Sequence, residues 1–177
     1  MKIVRNGYIY IENKEENKSM DIKIISSENR EQINEFISSH WFSTVMVVRG
    51  EVVDMTILDG FVTYEGEKII GLMTYKIKGT ECEIMSLDSL MEKQGIGTAL
   101  VNKVIEIARD NECTKIKLIT TNDNINALRF YQKLGFDMAK LYHNALDISR
   151  KLKPSIPLLG NFNIPLKHEI EFEMDLF

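Results

Sequence analysis

The 177-residue chain is 44% hydrophobic and 27% charged, a balance that suits one domain with a sizeable core. A formal net charge of −4 and a pI of about 5.5 offer no overall positive field for nucleic acid, and no apolar run is long enough to span a bilayer. The N-terminus lacks the apolar core of a secretory signal, and Cys82 and Cys113 form neither a C-x-x-C pair nor a set with clustered histidines, so a cytoplasmic protein with reduced thiols and no metal is expected.

Residues 1–19 read as an appendage, with "KIVRNGYIYIE" as a short strand or hairpin and "NKEENKS" as a polar link. Residues 20–177 read as the domain proper. "DIKII" alternates like a strand, and "SENREQINEFISSHW" places Ile33, Phe36, Ile37 and Trp41 at helical spacing, with Ser27 as the expected N-cap. Residues 43–60 mix strand and loop signals. "FVTY", "IIGLMTYKI" and "CEIMSLDSL" are β-rich runs separated by "EGEK" and "KGTE", a three-stranded meander.

"EKQGIGTALV" then sets two glycines before an apolar helical pattern carrying Ala99, Leu100, Val101, Val104, Ile105 and Ala108. A helix start leaves backbone N–H groups without internal partners, its dipole favours an anion there, and glycine permits close approach. A bare tight turn explains the same residues equally well from this stretch alone. No Gly-Lys-Ser/Thr follows, which excludes a P-loop, and the third glycine of the dinucleotide fingerprint is missing. "TKIKLIT" reads as a strand, "TNDN" as a loop, "INALRFYQKLG" as a short helix and "FDMAKLYHN" as a strand. The tail has a helix and a proline-marked loop over residues 144–166, an insert before the last strand. "HEIEFEMDLF" then alternates, with Ile170, Phe172, Met174 and Leu176 on one face. Glu169, Glu171, Glu173 and Asp175 take the other, expected to be solvated, although a row of carboxylates also attracts cationic amines. The whole order predicts an α/β fold in one layered domain with a sheet of mixed direction.

Two segments, "CEIMSLDSLMEKQGIGTALV" and "NALRFYQKLGF", resemble the strand–pyrophosphate-loop–helix unit and the C-terminal signature of the GNAT acyltransferase superfamily. The likeness covers roughly residues 21–143, and the "RKLKPSIP…HEIEFEM" tail looks like that of one bacterial branch. It implies a fold of α+β type, a mixed but mostly antiparallel central sheet flanked by helices. It further implies acetyl transfer from acetyl-coenzyme A, a cosubstrate, to a primary amine of a small molecule or peptide, by direct attack in a ternary complex and without metal. A homodimer is one assembly the chain could form, and neither nucleic acid nor membrane is an expected partner.

Residue by residue, the resemblance assigns coenzyme contacts to Lys93, Gln94, Gly95, Ile96, Gly97 and Thr98, with the helix beginning near Thr98. Leu87 and Ser89 would offer strand-edge backbone groups to the pantetheine arm and the developing oxyanion. Asn126 would bond the coenzyme or else cap its helix. Glu92 departs from the superfamily's loop, where Gln or Arg is usual, and is expected to face solvent or cap the helix start. Tyr131 would assist the departing thiolate, its alternative role being a core aromatic beside Phe130. An ordinary phenol has a pKa of about 10 and a thiol about 8.5, so full proton transfer is uphill by about 2 kcal/mol and a hydrogen bond to sulfur is the milder role. Glu83 and Asp88 are the candidate bases, each with a solvated carboxylate as the plain alternative, while His40, His143 and His168 read as surface or packing residues. Trp41 and the 144–166 insert would shape the acceptor pocket. The competing account keeps the phosphate cradle in a non-catalytic coenzyme A-binding regulator or interaction module.

Overall fold

The structure is a computed structural model. It describes residues 20–91 and 93–177, with the strand backbones at Lys2–Arg5 and Tyr8–Ile11. The expectations for the polar link at 13–19 and for Glu92 lie outside the described residues. In chain order the elements are β1 (Lys2–Arg5), β2 (Tyr8–Ile11), β3 (Ile22–Ile24), α1 (Arg30–Trp41), β4 (Val45–Val48), β5 (Glu51–Asp54), β6 (Asp59–Glu65), β7 (Lys68–Lys78), β8 (Glu81–Ser89), α2 (Ile96–Asp110), β9 (Lys115–Thr121), α3 (Ile125–Lys133), β10 (Asp137–Tyr142), α4 (Ala145–Leu152) and β11 (Glu169–Asp175). The first two strands pair with each other in an antiparallel hairpin.

The central sheet has seven strands in the order β10-β11-β9-β8-β7-β6-β3. Every neighbouring pair is antiparallel except β8 with β9. That parallel pairing runs only from Glu81 opposite Lys115 to Ile84 opposite Leu118. Beyond it β8 continues to Ser89 and β9 to Thr121 without pairing to each other, so the two strands splay into a V. A register shift between Thr74 and Tyr75 leaves Met85 as an extra residue on β8 at the mouth of the V.

Two apolar layers clamp the sheet. On one face α2 and α3 bury Leu100, Val101, Val104 and Tyr131 against Cys82, Ile84, Ile116, Leu118 and Phe172. Each fully buried aliphatic side chain contributes about 2 kcal/mol. On the other face Ile33, Phe36 and Ile37 of α1 pack against Val62 and Leu72, as their i, i+3, i+4 spacing predicts. Both cysteines are free thiols in the core. No described helix is long and apolar enough to cross a membrane.

One local expectation needs correction. The cap of α1 is Asn29, not Ser27. Asn29 Oδ1 accepts the Ser26 N–H at 2.8 Å, and the Arg30 N–H donates to Ser26 O at 3.0 Å. This turn uses up Ser27 before the helix can start. The mixed signals of residues 43–60 resolve into a hairpin of β4 and β5 followed by a 3-10 turn at Met55–Ile57. Arg49 and Gly50, with φ of 50° and 75°, form its two-residue bend, matching the type I′ geometry that follows strand twist. That bend carries Arg49 over the second face of the sheet.

Candidate active site

Helix α2 starts at Ile96, two residues before the expected Thr98, with Gly95 as its N-cap at φ 76°. A left-handed N-cap suits glycine. No side chain caps this end, and the first intrahelical bond is Ala99 N–H to Gly95 O at 2.9 Å. The amides of Ile96, Gly97 and Thr98 therefore lie open at the positive end of the dipole. Gly97 has a different reason to lack a side chain: a Cβ there would sit 3.2 Å from Phe130 Cζ. Its bareness lets α3 approach α2.

The free edge of β8 follows from the ladder. The Leu90 N–H donates to Ile70 O at 2.9 Å, back toward β7. Alternation then turns the Asp88 and Ser86 amides the same way and aims those of Leu87 and Ser89 across the V. One cavity of about 1290 Å³ fills this V; Trp41, Leu87, Ser89, Lys93, Gly95, Ile96, Gly97, Thr98, Asn126 and Tyr131 all line it. Gln94, Glu83 and Asp88 are not on its wall. Asn126 is not a cap. Asn124 takes that place, accepting the Ala127 N–H at 3.2 Å, which leaves the Asn126 amide exposed on the cavity side.

Tyr131 satisfies both readings offered for it. Its ring is 6% exposed and packs edge-on against Phe130 at 5.0 Å and Phe136 at 5.5 Å, yet it also lines the cavity. Burial, reinforced by the Asp88 charge, pushes its phenol above the ordinary value. It is therefore a donor at any ordinary pH. Asp88 accepts a hydrogen bond from Trp41 Nε1 at 3.1 Å. Burial raises this carboxyl, while the Trp41 bond and nearby His40 oppose the rise.

Across the V from α2, residues Leu146, Lys153, Ile156, Pro157, Leu159, Gly160, Asn161 and Leu166 of the 144–166 insert line the same cavity as Trp41. Asp123, 3% exposed, latches this insert to the β9–α3 loop. Its Oδ2 accepts the Asn161 backbone N–H at 2.7 Å and the side-chain amide at 2.8 Å.

The acidic row of β11 is solvated only at its far end, where Asp175 is exposed and Glu173 half-buried. Glu169 and Glu171 are 2% and 9% exposed, because the β4–β5 bend lies over them. Arg49 Nη1 sits 2.7 Å from Glu83 Oε1 and 3.6 Å from Glu171 Oε2, and Nη2 donates to Glu83 Oε2 at 3.0 Å. The Tyr142 hydroxyl donates to Glu171 Oε2 at 2.9 Å. Glu83 is thus clamped in an ion-pair cluster away from the cavity. Nothing in the sequence signals this: Arg49 sits in an ambiguous stretch, and alternating glutamates read as an outer face.

Glu169 differs from its neighbours in lining the cavity. Its Oε2 accepts the Arg49 backbone N–H at 3.0 Å. Burial raises its carboxyl above the ordinary value, against the pull of that N–H and the Arg49 charge. A carboxyl held above its unfolded value binds its proton more tightly when folded, so it costs stability as pH rises through that range. Glu169→Gln removes the titration. Urea unfolding at about pH 4 and about pH 7 is expected to show the difference between variant and parent moving in the variant's favour at the higher pH.

With this geometry in hand, the likenesses to known proteins can be placed. A family model described as the acetyltransferase (GNAT) family matches residues 31–136. YxbD of Bacillus subtilis strain 168 is 44% identical over 142 residues, 80% of this chain and 89% of YxbD. N-alpha-acetyltransferase 30 of Xenopus laevis is 29% identical over 101 residues, 51% of this chain and 37% of that protein. A solved Bacillus subtilis acetyltransferase in complex with CoA shares the fold at TM-score 0.64 and 19% identity, over 89% of this chain and 99% of that one. An Elizabethkingia anophelis GNAT acetyltransferase with acetyl-CoA bound does so at TM-score 0.62 and 18% identity, over 89% and 99%.

Proposed function

The chain belongs to the acetyltransferase (GNAT) family, and from that premise we propose that it moves the acetyl group of acetyl-coenzyme A to a primary amine of a small molecule or peptide by direct attack in a ternary complex. The observation that carries this reading is the continuity of the cavity. Open helix amides, a free strand edge and a buried phenol at one end share one space with the insert wall at the other.

The residues fit the coenzyme. The amides of Ile96, Gly97 and Thr98 supply donors for a pyrophosphate, and Lys93 and Arg129 on the same wall add positive charge. Leu87 and Ser89 pair with the pantetheine amides as an added strand would, and one of their N–H groups donates to the oxyanion as the amine attacks. Asn126 offers its side-chain amide beside them. Tyr131 donates a hydrogen bond to the leaving sulfur. Asp88, held by Trp41, adds negative charge behind Tyr131 without reaching the cavity wall. On this reading residues 20–177 form the catalytic domain, residues 144–166 an insert that walls the acceptor end, and residues 1–19 an appendage.

Calorimetric titration with acetyl-coenzyme A is expected to give a saturable heat. Free-thiol release should require both acetyl-coenzyme A and an amine. Initial rates with both substrates varied should give intersecting lines, as a ternary complex demands. Parallel lines with acetyl retained on the protein would replace direct attack by a covalent route, and an absence of binding heat would overturn the assignment altogether.

A further inference from the structure

The acceptor end of the cavity is narrow in its chemistry. Its walls are Met46, Val48, Leu146, Ile156, Leu159 and Leu166. The polar groups among them are mostly engaged elsewhere. Lys153 Nζ donates to Val45 O at 2.9 Å, Asn161 is tied to Asp123, and Thr121 Oγ1 donates to Asp123 Oδ1. Among the charged groups at this end, Glu169 is the exception. It is 2% exposed yet on the cavity wall, and while its Oε2 accepts the Arg49 N–H, no described residue donates a hydrogen bond to its Oε1. A buried carboxylate on the wall of an apolar chamber, with one oxygen fixed and the other lacking a donor, suits a single cationic partner.

Building on the acetyl-transfer reading above, we infer that the acceptor is an apolar primary amine, an ammonium on a hydrocarbon or aromatic skeleton, held by Glu169 and yielding its first proton to it. The amine lone pair then attacks the thioester carbonyl, the C–N bond forms and the C–S bond breaks. Of the two protons the ammonium loses, one passes through Glu169 to solvent and the other ends on sulfur, the position Tyr131 attends. Burial that favours the protonated carboxyl helps Glu169 accept that proton. Polyamines and aminoglycosides fit poorly, because each further ammonium or hydroxyl would be stripped of water against these walls without a partner.

The test is a panel at saturating acetyl-coenzyme A: 2-phenylethylamine and hexylamine against spermidine and kanamycin, read as thiol release, in the parent and in Glu169→Gln. The apolar monoamines are expected to lead in kcat/KM by about tenfold or more, the cost of one unpaired polar group. Glu169→Gln is expected to lose about 100-fold on the best amine, the lower range for a general base. Its acetyl-coenzyme A affinity by calorimetry should stay within about twofold, since Glu169 lies across the V from the α2 amides. A parent that prefers spermidine or kanamycin, or a variant that turns over at the parental rate, overturns the inference and leaves acetyl transfer standing. A parent that binds no acetyl-coenzyme A, or acetylates no amine, removes the acetyl-transfer reading and this one with it. The parent's ranking decides the matter even if the variant does not fold.

Discussion

Tyr131→Phe is expected to fold, to bind acetyl-coenzyme A like the parent, and to lose about 10²- to 10⁴-fold in kcat, the usual worth of a positioned proton donor. The fold should survive because the ring carries the packing. Its neighbours are Phe130, Phe136 and Phe172, with centroids 5.0, 5.5 and 6.1 Å away, and phenylalanine keeps every one of those contacts. No described residue hydrogen-bonds the hydroxyl, so removing it leaves no partner orphaned in the core. What disappears is a donor that burial and Asp88 together keep protonated. Because the phenol is held above an ordinary thiol by more than the unperturbed gap of about 2 kcal/mol, the role proposed for it is a hydrogen bond that strengthens as charge gathers on sulfur, with full transfer later. A coenzyme with a more acidic thiol should therefore narrow the deficit of the variant. Unchanged kcat in Tyr131→Phe would remove Tyr131 from the chemistry.

Arg49→Ala is expected to cost about 3 kcal/mol or more of unfolding free energy, measured in urea at neutral pH. The Arg49 side chain is 27% exposed, and its partners Glu83 and Glu171 are 14% and 12% exposed. Its removal leaves two carboxylates facing each other under the β4–β5 bend with no cation. Tyr142 does not relieve this, since burial and its bond to Glu171 push its phenol up to about 12 and keep it a neutral donor. Solvent-exposed pairs offer the contrast: Lys103 with Glu106, 44% and 59% exposed, should be worth under about 1 kcal/mol. Replacing all three charges together, as in Arg49→Met with Glu83→Gln and Glu171→Gln, should recover most of the loss, because the penalty lies in the unpaired charge. If Arg49→Ala unfolds within about 0.5 kcal/mol of the parent, water reaches the cluster and the clamp is weaker than its geometry implies.

The α2 end of the cavity was legible from local pattern. Gly95 announced a backbone bend, the 3.6-residue periodicity of Leu100, Val101, Val104 and Ala108 announced α2, and the run from Asn126 to Phe136 announced α3, because such signals depend on residues a few positions apart. The reading of Gly97 was incomplete for the complementary reason. Its constraint is Phe130, a residue on another element, and no local window contains both.

The insert end of the cavity was hidden more thoroughly. Period-two alternation separated the two faces of β11 correctly, with Phe172 inward on one side and Glu169 and Glu171 on the other. Alternation tells the faces of a strand apart, but what lies over each is fixed by distant chain. Here that chain is the Arg49–Gly50 bend and the 144–166 insert, and their packing turns the Glu169–Glu171 half of an acidic outer face into a buried ion cluster and one cavity carboxylate. Short-range geometry was written in the order of the residues; the burial of a charge depends on what the folded chain lays on top of it.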